Sequence, residues 1–191
     1  MSYLVPTADA PSPTQTALIV PVLAAEAAVG AHRRWLDEAA SWGVPPHVTV
    51  LYPFVEPALA RQAEPVAAIR RMIGKVSAFD CSFARTSWFG QDVLWLAPDP
   101  AQPFRDLTNG IFEAFPDYPP YAGAHDGSAP HLTVGERRLA DLKALVKAEH
   151  AVSAYLPLST RIDTVLLIEG ALSPLSWRIL ETFTLGADLR H

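Results

Sequence analysis

Two pentads in this sequence combine residue types able to move protons on and off a small anionic centre: Pro46-His47-Val48-Thr49-Val50 and Pro130-His131-Leu132-Thr133-Val134. They differ by one Val/Leu exchange and stand 84 residues apart. With six His among 191 residues, only roughly a third of a His-x-Thr match is expected by chance. Two matches with the same flanks therefore mark an internal duplication.

Each pentad follows a loop and opens a run with strand character. Side chains at i and i+2 of a strand share a face about 7 Å apart. His47 and Thr49 then point one way, as do His131 and Thr133, while Val48, Val50, Leu132 and Val134 point into apolar packing. A pseudo-twofold axis relating the two strands would gather two imidazoles and two hydroxyls around one small space. That grouping suits phosphoryl transfer, in which the attacking and leaving oxygens lie roughly in line and need a base and an acid on opposite sides. Imidazole titrates near pH 6.5, so one ring can be neutral while the other is protonated. The threonine hydroxyls can donate to the non-bridging oxygens, and this chemistry needs neither metal nor cofactor.

The elements that must carry these residues follow from periodicity and punctuation. Residues 1–15 are polar and proline-containing and read as a flexible lead. Residues 16–191 read as a single domain. A strand is expected over Thr16–Val22, and a helix from Glu26 to about Trp42, stopped by Gly43, Pro45 and Pro46. A strand follows over His47–Phe54 and a helix from Ala58 to about Val76. Phe79–Trp88 and Val93–Leu96 alternate as a hairpin around Gly90-Gln91-Asp92. A helix over Phe104–Phe115 leads to an irregular stretch, 116–130, of a length that is often functional. The remainder reads as a strand at His131–Val134, a helix from Leu139 to about Val152, and closing strands at Thr160–Ile168 and Trp177–Leu185. The class is α+β.

Composition narrows the field. A net charge of −5 argues against a domain that grips long nucleic acid by neutralising phosphates. Cys81 is the only cysteine, which excludes an internal disulfide and a Cys-x-x-Cys redox pair. No apolar run approaches the ~20 residues of a membrane span, and residues 1–16 lack the pattern of a secretory signal. A cytoplasmic monomer is expected.

At the pentads the sequence resembles the two-histidine phosphoesterases, a superfamily that includes 2′-5′ RNA ligase-like proteins and cyclic nucleotide phosphodiesterases. The resemblance covers His47–Phe54, the Trp88–Leu96 hairpin, the Tyr118–Val134 approach and the final Trp177–Gly186 strand. It implies a bilobal α+β fold with two antiparallel sheets facing a central groove and helices outside. It also implies His47 and His131 as catalytic residues, Thr49 and Thr133 as phosphate-binding residues, and a 2′,3′-cyclic phosphate or 2′-5′ phosphodiester of a nucleotide or RNA end as substrate. A nucleotide-binding module with weak turnover is the competing reading. In one respect the chain departs from several RNA-processing relatives: where they carry a basic residue beyond the second motif, it has Gly135-Glu136 before Arg137 and Arg138. Glu136 would repel a nearby phosphate unless Arg137 turns inward.

Trp88, and more weakly Tyr121, are candidates to stack on a base, since the resemblance places the Trp88-Phe89 tip near the groove. Tyr52 falls on the Val48 and Val50 face by strict alternation and reads as core. Arg85 is an exposed strand residue within conceivable reach of phosphate. His125 and Asp126 could be weighed with His131 as metal ligands, but no motif with helical ligand spacing supports them.

Overall fold

The structure is a computed structural model that describes residues 3–6, 9–120 and 129–186. Eight strands form two four-stranded antiparallel sheets of order β2-β1-β7-β8 and β5-β4-β3-β6. The first holds β1 (Gln15–Pro21), β2 (His47–Leu51), β7 (Thr164–Gly170) and β8 (Arg178–Thr184). The second holds β3 (Phe79–Phe89), β4 (Val93–Asp99), β5 (Leu132–Glu136) and β6 (Leu158–Ile162). The two motif strands, β2 and β5, are the edges of their sheets and approach each other between them.

Helices α1 (Glu26–Leu36), α2 (Glu38–Ser41), α3 (Pro57–Ala60), α4 (Ala63–Gly74), α5 (Gln102–Ala114) and α6 (Leu142–Ser153) connect the strands. The two that join motif strands to their neighbours are exchanged. Helix α1, between β1 and β2, packs on β5 of the other sheet, and α5, between β4 and β5, packs on β2. One apolar cluster runs through both halves, from Leu18, Val48 and Val50 to Leu94, Leu132 and Val134. A smaller one, built on Ile19, Val44, Ile168 and Trp177, lies on the opposite face of the first sheet.

Three sequence expectations are refined. The helix expected over Glu26–Trp42 breaks at Asp37, whose backbone is extended. Its carboxylate accepts from Ala39 N as an N-cap and pairs with buried Arg33 at 2.8 Å. Such a cap satisfies a donor that the new helix would otherwise leave bare. The helix expected over Ala58–Val76 likewise divides into α3 and α4, with Gln62 extended between them. The strand expected over Thr160–Ile168 is two strands in different sheets: β6 pairs with β3, whereas β7 pairs with β1 and β8. The described residues of the N-terminal lead also pack back on the chain. Leu4 is buried, its N–H donates to Gly43 O at 2.8 Å, and Tyr3 donates to Glu26 at 2.6 Å.

Candidate active site

Each motif strand contains the same irregularity. Along β2, His47 pairs with Pro21 and Thr49 with Ile19, but Leu51 pairs with Leu18, so one extra residue is bulged into the strand near Val50. Along β5, Thr133 pairs with Trp95 and Gly135 with Leu94, with the extra residue near Val134. A bulge shifts alternation by one. Val50 and Leu51 both turn into the core, and the next side chain, Tyr52, emerges on the His47 and Thr49 side. Val134 and Gly135 repeat this, and Glu136 emerges beside His131 and Thr133. The duplication therefore presents the His and Thr of each pentad, and the residue two beyond its end, to a shared groove. The reading of Tyr52 as core is corrected for this reason.

The groove encloses about 870 Å³. His47, Thr49, His131 and Thr133 all line it. Both histidines are braced alike: His47 Nδ1 donates to Pro45 O, and His131 Nδ1 donates to Ala129 O, each at 2.8 Å. A carbonyl can only accept, so the proton is held on Nδ1 and any further proton exchange falls to Nε2. The His131 ring is further fixed by edge contacts with Phe89, 4.9 Å between centroids, and Trp95 at 5.9 Å.

Burial and the nearby Arg33 guanidinium hold His47 well below the usual histidine range, down to about 4. The ring keeps partial solvent contact at the groove floor. His47 is thus neutral at neutral pH. Beneath it lies the buried Arg33–Asp37 pair, which sequence reasoning missed. The signal was present as an Arg and an Asp at i and i+4 before Gly43, a spacing that juxtaposes side chains on a helix.

The remaining walls are unequal. On the side of the first sheet they are apolar and aromatic. Trp177 is buried, stacks on Trp42 at 6.1 Å, and meets Tyr52 edge-on at 6.2 Å. Trp177 sits tightly over Gly170, where a Cβ would come within 2.4 Å of its ring, and its Nε1 donates to Ala171 O. At the mouth the groove is polar, with Asp92, Glu136 and Arg138, whereas Asp37 lines it from its buried pair with Arg33.

Trp88 does not take the stacking position expected of it. Its cross-strand partner is core residue Leu94, so it faces helix α6, where Nε1 donates to Glu149 Oε1 at 2.9 Å. The neighbouring Phe89 lines the groove instead, because adjacent strand residues face opposite ways. Tyr121, His125 and Asp126 lie outside the described residues. Arg85 and Arg137 are exposed and do not line the groove.

Residues 21–173 match the family model of the 2′-5′ RNA ligase superfamily. The chain belongs to that superfamily. Among solved structures it is similar to TT0787 of Thermus thermophilus, with 18% identity over 93% of this chain and 100% of the other and a TM-score of 0.63. It is also similar to apo LigT of E. coli, with 16% identity over 91% and 98% of the two chains and a TM-score of 0.56. A structure described as a phosphoesterase shares 17% identity over 91% and 99%, with a TM-score of 0.55. These likenesses establish the two-sheet α+β fold with the strands as described. No curated protein sequence matches the chain.

Proposed function

We propose that this protein is a metal-independent phosphoesterase that opens a 2′,3′-cyclic phosphate, or a 2′-5′ phosphodiester, of a nucleotide or RNA end by His/His general acid–base catalysis. The observation that carries the proposal is the paired bracing of His47 and His131. Each ring is anchored through Nδ1 to a carbonyl two residues earlier, on edge strands that meet across one groove. Phosphorus held between them would have an Nε2 on either side, with Thr49 and Thr133 as donors to its non-bridging oxygens. In the hydrolytic direction His47, neutral at neutral pH, takes the proton of the attacking water. His131 donates to the departing ribose oxygen, and a second water resets the pair.

The half-buried rings of Trp42 and Tyr52, braced by buried Trp177, offer an aromatic surface beside the phosphate position. LigT of E. coli has been solved with ATP, with 3′-AMP and with NADP+, which supports a nucleotide as the ligand here.

Steady-state hydrolysis of 2′,3′-cyclic nucleotides by wild type, His47→Ala and His131→Ala, with and without EDTA, tests the proposal. Each substitution is expected to lower kcat by at least ~100-fold, in the range of general acid–base contributions, with turnover unchanged in EDTA. Full activity in either variant, or loss in chelator, refutes it. Calorimetric binding of mononucleotides with no hydrolysis by phosphorus NMR would instead identify a nucleotide-binding module.

A further inference from the structure

The charged residues at the mouth of the groove are unequally matched. Arg138 is the sole lysine or arginine among the described residues lining the groove, and it is already engaged. Its guanidinium pairs with Glu136 through Nε and with Glu38 of α2 through Nη1. Nη2 adds a second contact to Glu136 at 3.3 Å. Although Arg138 is exposed, its guanidinium is shared between two carboxylates of the chain and presents little unshared charge to a ligand. Arg33, behind the wall, is spent in the same way on Asp37.

Among the described residues no such cation pairs with Asp92. It lines the groove immediately before Val93, the cross-strand partner of Glu136, so both carboxylates stand at one end of the second sheet. With Asp37 matched by Arg33, the lining holds Asp92 and Glu136 against Arg138.

Resting on the phosphoesterase reading of the groove, we propose that the site is a charge filter: it accepts ligands with a single phosphoryl group and an uncharged ring and discriminates against those with a second phosphate, which among the proposed substrates favours a mononucleotide over an RNA end. Glu136 and Asp92 are the specificity-determining residues. The single phosphate sits between the two histidines, where Thr49 and Thr133 donate to it. A neutral ring lies on Trp42 and Tyr52, which Trp177 braces. A second phosphate extending toward the mouth meets Asp92 and Glu136, with Arg138 unable to answer it. Like charges brought together in a partly desolvated site weaken binding markedly.

Calorimetry with adenosine 2′-monophosphate and adenosine 2′,5′-bisphosphate tests this without requiring turnover. Wild type is expected to bind the monophosphate at least ~10-fold more tightly. The ratio should fall severalfold in Glu136→Gln, which also releases Arg138, and in Asp92→Asn, and it should shrink as salt is raised. A purely structural role for Glu136 would weaken both ligands equally and leave the ratio unchanged. Equal or tighter binding of the bisphosphate by wild type, a ratio unmoved in both variants, or no binding of either ligand overturns the filter. Selective binding by a protein that turns over no cyclic phosphate would keep the filter and remove the catalytic reading. Histidine-dependent turnover without selectivity would do the reverse.

Discussion

At the scale of single residues, the site rests on a hydrogen bond made twice. Anchoring Nδ1 to a backbone carbonyl fixes the tautomer and the ring plane together, and this preorganisation lets an imidazole act on phosphorus without reorienting. The low pKa of His47, caused first by burial and then by Arg33, has two consequences. Its ring should titrate below the ordinary histidine value in a proton–nitrogen NMR experiment, and the acidic limb of kcat/KM should report that same group in the free enzyme. His47 resists protonation only in the folded chain, so between pH 6.5 and about 4 the unfolded chain binds the additional proton. Its contribution to stability is complete above pH 6.5 and is lost as pH falls through that window. Urea unfolding of wild type and His47→Gln at pH 7.5 and 4.5 should show the larger loss in wild type. The aromatic wall is tested by Trp42→Ala, since Trp42 is only half-buried. Removal of one stacking face is worth about 1–3 kcal/mol, so KM for a nucleotide substrate should rise roughly 5- to 150-fold with kcat little changed.

At the scale of elements, the paired bulges decide what joins the histidines and threonines in the groove. Each is supported by a helix exchanged from the other half. On one side Thr108 of α5 lies with Oγ1 3.0 Å from Val50 O, at the β2 irregularity, and 3.1 Å from Phe104 O. On the other, Gly135 admits α1, since a Cβ there would meet Leu36 and Leu145 at 2.7 Å. Thr108→Val keeps the volume and removes the donor, so it should cost about 1–2 kcal/mol in urea unfolding. Gly135→Ala should cost about 1–3 kcal/mol by overpacking and, by pushing β5 from α1, should lower kcat more than the conservative size change suggests.

At the scale of the molecule, the exchange of α1 and α5 joins the two halves into one cooperative body. Each sheet's motif edge is covered by a helix that belongs in sequence to the other half, and one apolar cluster runs through both. The chain should therefore unfold in a single transition. Fluorescence from Trp95 in the second sheet and Trp177 beside the first, each retained in a variant with the other tryptophans replaced by phenylalanine, should give coincident midpoints. Two separated midpoints would show that the lobes fold independently.

The α+β class, most of the strands and helices, and the equivalence of the two pentads were legible in the sequence. They depend on local periodicity and on a repeat, and both are properties of order along the chain. Pairing His47 with Thr49 and His131 with Thr133 needed only the two-residue period of a strand, which holds up to the first bulge. Tertiary structure decided the rest. Whether a strand bulges depends on what packs against it, so the emergence of Tyr52 and Glu136 could not be counted from alternation, and the direction of Trp88 depended on where α6 docks. The division of 160–168 between two sheets at Asp163, and the capture of Arg138 by Glu38 a hundred residues away, arise from contacts that exist only once the halves have met. Local order chose the chemical groups; packing between distant segments set which of them share a space and which charges remain unspent.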